Sequence, residues 1–476
     1  MWRTLAQRPR TIEHAAVALV GVVLFLRFPV HFALTQPYLM TFEVYRAVAE
    51  RILNGGAAAL YDPTRSATAL FKYAPLWALA WTPLGWLPHQ TGAVLWTAAG
   101  VVLLLATLVL CARLCRHHGI RIHPLTAALT VLLLVRPVTA ELLNGQVNTL
   151  WGLLGLGFLL GEMGPHPWLA ALSLALAISL KLPALIVLAY LLVRRRWASA
   201  GRTVLWLIGL NLAAAWALAP AHPLALLAAW QRTLLASGPD RAFEIGSQSL
   251  LALMGRLLRA DGYGFNVLAL SDGTVALVTA AVAALLFAAV CLPRAGHGPR
   301  GRVPQSQGPR RLPAPPKLRF ASQHEAKRRG EDSRRGGGAA GPANVGPLLD
   351  GALLMALAVL LSPTCWVATY SALLWPLFVA LALLTDQPRA ALRRPALLLG
   401  AAALGCFSAL TNAKLWHVLG VRSIKGETYV FEVLMILPLF GLSLAWCLWH
   451  QRWLLTAHAA AAGGRPAAPP ASGRPR

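Results

Sequence analysis

Apolar runs separated by short polar stretches make up most of the chain. Bounded by charges, proline or glycine, they lie near 14 to 34, 91 to 112, 124 to 142, 147 to 162, 167 to 180, 182 to 193, 203 to 220, 271 to 293, 347 to 361, 366 to 385, 396 to 412 and 430 to 449. Each reads as a helix in lipid, although several fall short of the ~20 residues that cross a bilayer core. Short runs of this kind are joined at membrane depth by broken backbone, which persists only where protein or a water-filled cavity satisfies its peptide groups. A further run, Tyr73 to Pro88, is interrupted by Pro75 and Pro83 and reads as re-entrant. From Phe42 to Leu53 the apolar residues Val44, Val48, Ile52 and Leu53 recur at three- and four-residue spacing. That pattern predicts a short amphipathic helix on the membrane surface, stopped by Asn54-Gly55-Gly56.

Composition agrees with the pattern. Of 476 residues, 57% are hydrophobic and 13% charged, against about 25% charged in soluble domains. The fold class expected is therefore all-α, a polytopic membrane protein of about twelve transmembrane helices with outward-facing loops. A soluble globular enzyme, a disulfide scaffold and a disordered chain are excluded together. The six cysteines lie in or beside apolar runs without CxxC or metal-ligand spacing, and read as small core residues. The run Ala15 to Leu34 exceeds a signal-peptide core and carries Arg27 and Pro29, so it is expected to be a retained first span.

The charge balance changes the picture further. Forty-three Lys and Arg against seventeen Asp and Glu give a net charge of +26, which in a soluble protein would suggest a nucleic-acid partner. Here the basic residues fall in clusters between the apolar runs, at Arg3 to Arg10, Arg113 to Arg121, Arg194 to Arg202, Arg294 to Arg335 and Arg389 to Arg394, with a sparse tail after Arg452. This is the signature of cytoplasmic loops and termini, and no nucleic-acid partner is expected. With the amino terminus inside and Tyr73 to Pro88 re-entrant, every cluster falls on the cytoplasmic side and the carboxyl terminus returns there. Counting Tyr73 to Pro88 as a crossing would instead put Arg113 to Arg121 outside, unless two short neighbouring runs fuse. The expected organisation is a cytoplasmic amino terminus (1–13), a first part of the membrane core (14–293), a basic cytoplasmic loop (294–346), a second part of the core (347–450) and a cytoplasmic tail (451–476). The loop carries twelve basic and three acidic side chains; it reads as disordered, either a tolerated insertion or a contact for anionic membrane lipids.

This topology gathers the polar segments on the outer face: 35 to 72, Asn144-Gly145-Gln146-Val147-Asn148, Lys181-Leu182-Pro183, 221 to 270, Ser362-Pro363 and 413 to 429. Chemistry is expected there. Ionisable groups inside spans are costly and face a cavity or a partner. Among them, Glu141 and Arg136 are close enough in sequence to neutralise each other, whereas Lys181 has no acidic neighbour in sequence. A cation at an outward break suits a lipid phosphate, or it snorkels to the interface. Asn144, Gln146 and Asn148 either bind sugar hydroxyls or cap broken helices. Carboxylates of the surface helix either act as a general base or pair along it, Glu43 with Arg46 and Glu50. No P-loop, no Rossmann glycine fingerprint and no His and carboxylate cluster demanding a metal is present in the sequence.

Taken in order, Phe42-Glu43-Val44-Tyr45 with Asn54-Gly55-Gly56 and Leu60-Tyr61-Asp62-Pro63, then Phe71-Lys72-Tyr73-Ala74-Pro75 with Pro83-Leu84 and Leu87-Pro88, Asn144-Gly145-Gln146-Val147-Asn148, Lys181-Leu182-Pro183, Gly246-Ser247-Gln248-Ser249-Leu250 with Arg256, and Leu361-Ser362-Pro363 with Trp366 resemble glycosyltransferase family 87. These are polyprenyl-phosphate-mannose-dependent membrane mannosyltransferases of the GT-C superfamily. The resemblance implies a GT-C-like core and an inverting transfer. A hexose, mannose in the first instance, leaves a polyprenyl phosphate for a lipid or glycan hydroxyl at the outer face, without metal, cofactor or nucleotide. It implies Lys181, Arg256 and Lys72 as contacts of the donor phosphate, and Tyr73, Asn144, Gln146, Asn148, Gln248 and Trp366 as contacts of sugar or acceptor. Two positions depart from the family pattern. The usual Asp before the Phe of Asp-Phe-x-Val-Tyr is Thr41, and the usual His after Ser-Pro-x-Ser-Trp is Thr369. Threonine is no base near neutral pH. Glu43 is the substitute base expected, although two residues along a helix turn it by about 200° from position 41. The other reading is a scaffold of the same kind that binds or translocates polyprenyl-phosphate sugars without transfer.

Overall fold

The structure, a computed structural model, describes residues 9–35, 38–62, 70–236, 243, 246–260, 267–292, 345–363, 365–386 and 436–463. Contacts divide the chain into two units, residues 1–292 with 346–452 and residues 293–345 with 453–476. The expected run at 396 to 412 and the basic loop 294–344 lie outside the described residues.

The first unit is a bundle of helices, and among the described residues it contains no strand. Most of the expected apolar runs coincide with helices, some with ends displaced by several residues. The run 14 to 34 is α1 (Pro9–Phe25), carried on through a π turn at Leu26–Val30 and a last turn His31–Leu34. Pro29 lies inside that π turn, where its missing N–H removes a ladder bond. The helix expected from Phe42 to Leu53 is α2 (Met40–Leu53), ended at Asn54 and Gly55. The proline-interrupted run forms α3 (Pro75–Trp81) and a 3₁₀ turn, Thr82–Trp86, and then α4 (His89–His117) follows. Next come α5 (Thr126–Leu133), α6 (Val135–Asn144), α7 (Asn148–Met163), α8 (Pro167–Leu180), α9 (Leu185–Val193) and α10 (Trp197–Leu218). The remaining helices of this unit used below are α11 (Pro223–Ala236), α12 (Leu250–Leu258), α13 (Asp272–Cys291), α14 (Gly346–Leu360), the 3₁₀ segment Val367–Leu373 leading into α15 (Leu374–Thr385), and α16 (Ile436–Gly463), of which the residues up to Arg452 belong to this unit.

Five helical segments among the described residues are long and apolar enough to cross a membrane, and a sixth counts if the bent pair α5 and α6 is one span. Among the described residues the expected count of about twelve spans is not confirmed. Two of the expected runs are shortened or bent by local breaks. The run 124 to 142 bends by 67° at Leu134, three residues before Pro137, whose ring cannot donate the N–H of a continuous helix. Similarly, Pro183 separates α8 from α9 through a short 3₁₀ turn. These breaks leave backbone groups to be satisfied inside the bundle, as irregular structure at membrane depth requires.

The bundle has an inside and an outside of different kinds. The segment Val367–Thr385 is buried throughout, whereas α13 exposes most of its apolar surface, with Leu277 and Leu285 open. Exposed leucines of this density suit lipid as the surrounding solvent. Helix α7 packs closely on both sides because it is rich in glycine. A Cβ at Gly161 would lie 2.7 Å from the backbone of Ala170 on α8, and one at Gly152 would lie 3.0 Å from the Ala372 carbonyl. Larger side chains at these points would push α8 and the 3₁₀ segment away from α7.

A buried ion pair ties the far ends of the unit together. Arg452 on α16 meets Asp350 on α14 at 2.9 Å. Its guanidinium also donates to the carbonyls of Val290 (2.9 Å) and Leu292 (3.1 Å) at the end of α13. Asp350 in turn accepts from the Tyr190 hydroxyl on α9 at 2.9 Å. Removing one partner leaves the other charge buried, so Arg452→Ala is expected to destabilise the fold by about 3–5 kcal/mol. Thermal unfolding in detergent reads this; an unchanged melting temperature would show that the pair does not hold these helices.

Candidate active site

Several of the polar segments singled out in the sequence meet, while 413 to 429 lies outside the described residues. Helix α6 ends at Gly145, which adopts a left-handed φ of +66°, a conformation that glycine takes without steric cost. The turn sends the chain straight into α7 and lets α2 approach closely, since a Cβ on Gly145 would lie 2.8 Å from that of Phe42. Trp96 of α4 donates its indole N–H to the Gly145 carbonyl at 2.9 Å. The turn is thus held from two sides.

Around it lies a connected polar network in an otherwise apolar interior. The buried Glu141 carboxylate accepts from the Thr149 backbone N–H at 2.6 Å, from Asn148 Nδ2 at 2.8 Å and from the Ser371 hydroxyl. Asn148 Nδ2 donates a second bond to Gln146 Oε1 at 2.8 Å. Asn148 Oδ1 accepts from Lys181 Nζ, whose charge lies 5.7 Å from the centroid of the Trp151 ring. The expected neutralisation of Glu141 by Arg136 does not occur, because the carboxylate turns towards the start of α7. Lys181 sits in extended backbone between α8 and the turn Leu182–Ala184. Its position is fixed from behind by Ser179, whose hydroxyl accepts from buried Asn211 of α10 at 2.7 Å and whose carbonyl faces the Ala74 N–H at 3.4 Å.

Two further groups adjoin the network. Tyr73 and Tyr45 exchange a hydroxyl hydrogen bond of 2.8 Å and pack with Trp81 and Trp96, and the Tyr73 carbonyl accepts from the Tyr61 hydroxyl at 2.8 Å. Burial pushes the Tyr61 hydroxyl well above its usual range. On the other side, the Tyr370 hydroxyl donates to the Gln248 carbonyl at 2.8 Å, one residue from the Ser371 that reaches Glu141. The Gln248 N–H meets the Cys365 carbonyl, and Trp366 crowds Gly246, where a Cβ would fall 2.3 Å from the indole. Arg256 is buried and donates to the Ser247 carbonyl at 3.2 Å. Burial pushes the Cys365 thiol up to about 12, against the opposing pull of the nearby Lys181 ammonium and a hydrogen bond with Thr369.

Of the residues singled out in the sequence, Gln146, Asn148 and Lys181 form one hydrogen-bonded set, with Tyr73 beside it and Gln248, Arg256 and Trp366 joined to it through the segment 365–371. Others stand differently. Asn144 turns back to cap its own helix, donating to the Ala140 carbonyl at 2.8 Å. The Lys72 carbonyl accepts from the Trp230 indole at 3.0 Å. Glu43 faces His89 at the start of α4, with Oε1 and Nε2 2.6 Å apart, while Arg46 pairs with Glu50 at 2.7 Å. Tyr45, four residues on from Thr41, is hydrogen-bonded to Tyr73. Glu141, Ser371 and His89 are additions that the sequence reading did not single out as site residues. A weak signal existed for Glu141, an acid in an apolar run just before the amide cluster. Among the described residues no group of three or more His, Cys, Asp or Glu side chains is placed to hold a metal ion.

Comparison with known proteins bears on the same segments. Two curated relatives align over 177 residues: the polyprenol-phosphate-mannose-dependent alpha-(1-2)-phosphatidylinositol mannoside mannosyltransferases of Mycolicibacterium smegmatis, 29% identical, and of Mycobacterium tuberculosis, 28% identical. Each alignment covers 33% of this chain and 39% or 40% of the relative, so the chain spans about two fifths of the curated relatives it matches. No solved structure matches the chain. The model of Glycosyltransferase family 87 matches residues 71–304, a stretch that holds Lys72, Tyr73, the 144–148 turn, Lys181, Gln248 and Arg256 but neither Glu43 nor Trp366. Over that stretch, with Lys181 and its amide partners at the centre, the chain is similar to glycosyltransferase family 87.

Proposed function

We propose that this chain is a membrane glycosyltransferase that moves a hexose, mannose in the first instance, from a polyprenyl phosphate to a hydroxyl of a lipid or glycan. In this reading the reaction inverts the anomeric centre, needs neither metal nor nucleotide, and takes place at the outer face of the cell membrane, with both termini cytoplasmic. The observation that carries it is Lys181. Its ammonium sits where the helical backbone is broken between two apolar helices, directed by Asn148. An ammonium has three donors, and Asn148 uses one of them, so two remain for the oxygens of a phosphate. The similarity to mannosyltransferases named for a polyprenol-phosphate-mannose donor supports the same chemistry.

The steps balance without another reactant. The acceptor oxygen forms a bond to the anomeric carbon from the side opposite the phosphate. The anomeric C–O bond breaks and its electron pair stays on the polyprenyl phosphate, whose added charge Lys181 stabilises with support from Arg256 and Lys72. The acceptor proton passes to a carboxylate, for which Glu43 is the candidate, and His89 at 2.6 Å is placed to take it onward. Tyr73, Gln146, Asn148, Gln248 and Trp366 line the approach for sugar and acceptor, and Asn144 supports the turn. The test is label transfer. Purified protein in detergent, given radiolabelled polyprenyl-phosphate mannose and a total lipid extract, is expected to yield a new labelled lipid; donor consumed only by hydrolysis, or not at all, contradicts the reading.

A second reading is favoured by one observation, Thr41 at the position of the family's Asp, with Glu43 turned to His89. In that reading the scaffold binds or translocates polyprenyl-phosphate sugars. It is distinguished by saturable donor binding with no glycosylated product.

A further inference from the structure

The proposed reaction gives no role to Glu141, although its buried carboxylate accepts three hydrogen bonds. It is 3% exposed and accepts from a backbone N–H, an amide and a hydroxyl drawn from two distant parts of the chain. A buried carboxylate is costly unless it is hydrogen-bonded, and here every partner is a donor. The consequence falls on Asn148. Its Nδ2 has two acceptors in front of it, Glu141 Oε2 and Gln146 Oε1, each at 2.8 Å, so its Oδ1 is compelled to face Lys181. Reversing the amide would place its NH₂ against an ammonium.

We propose that Glu141 is a positioning residue for the donor phosphate: it sets the orientation of the Asn148 amide, and through that amide oxygen it holds the Lys181 ammonium with its remaining donors directed at the phosphate. This rests on the lipid-phosphate donor proposed above. Glu141 touches no substrate in this scheme. Its carboxylate is also separated from Lys181 by the Asn148 amide, so the ammonium keeps its charge available for an anion.

A single-atom change reads this arrangement. In Glu141→Gln the side chain has one oxygen and one NH₂ where the carboxylate had two oxygens. The Thr149 N–H is part of the backbone and cannot turn, so the new amide oxygen takes that side and the NH₂ meets Asn148. The Ser371 hydroxyl can rotate to accept, but Asn148 can respond only by flipping, which presents its own NH₂ to Lys181.

The experiment measures binding of undecaprenyl phosphate and of undecaprenol to the full-length purified protein in detergent. The wild type is expected to prefer the phosphate. Glu141→Gln is expected to weaken phosphate binding by about 10-fold, in the range seen when a side chain that orients a binding group is lost, while undecaprenol binding is unchanged. In a Lys181→Ala background the same change is expected to add nothing, as coupled residues require. If Glu141→Gln does not fold, Asn148→Ala carries the test, with the same loss of preference for phosphate. A folded Glu141→Gln or Asn148→Ala protein with wild-type phosphate affinity, alongside a weakened Lys181→Ala, overturns the inference alone. A wild type that binds the alcohol as well as the phosphate overturns the donor reading itself.

Discussion

Lys181→Ala is expected to lower turnover with a polyprenyl-phosphate sugar by about 10²–10³-fold, the usual loss when a donor aimed at developing negative charge is removed. The reason lies in the surroundings of Nζ. The ammonium is held by Asn148 and lies against the Trp151 ring, in a low-dielectric interior where its pull on a departing phosphate is far stronger than in water. Lys181→Arg is expected to recover only part of the loss, since a planar guanidinium cannot reproduce the single bond to Asn148 and two bonds outward from one point. Turnover with labelled donor, measured beside melting temperature, checks this. A folded Lys181→Ala protein with wild-type turnover would remove Lys181 from the chemistry, and the snorkelling alternative would then account for it.

Glu43→Gln is expected to reduce transfer by about 10²–10⁴-fold while donor binding is retained, because a positioned general base contributes on that scale and a base is not a binding group. The helix that carries it, α2, is anchored by Phe42 against Gly145 on one side and by the Glu43 and His89 pair on another. Glutamine preserves the shape and a hydrogen bond to the imidazole but cannot accept the acceptor's proton. Single-turnover measurements separate the two effects. Near-normal transfer in Glu43→Gln would mean that the function of the family's Asp has not moved from position 41 to 43, and that another group receives the proton.

Much of this was legible in the sequence, and the limits have physical causes. The run 167 to 180 coincides with α8, and the surface helix expected from Phe42 begins at Met40, because charges, prolines and glycines that end a helix are local signals. The bend at Leu134 was not anticipated although Pro137 follows three residues on, since a proline within an apolar run is compatible with a continuous span as well as a broken one. The same holds for the site. Gln146, Asn148 and Lys181 stood out as polar groups in apolar surroundings, and they do meet. The bond from Ser371 to Glu141 spans 230 residues and that from His89 to Glu43 spans 46; such pairs are set by how helices pack, not by spacing along one helix. Glu141 was read against Arg136, its neighbour in sequence, because the left-handed turn at Gly145 that carries Asn148 back to it is visible only in three dimensions.

The central claim is that the sugar arrives on a lipid phosphate. It is tested most directly by offering the purified protein two labelled donors in parallel, polyprenyl-phosphate mannose and a nucleotide-linked mannose, with the same lipid extract as acceptor. Labelled lipid product from the polyprenyl-phosphate donor alone, lost in Lys181→Ala, is the result expected. Product from the nucleotide sugar, or equal product in wild type and Lys181→Ala, would contradict it.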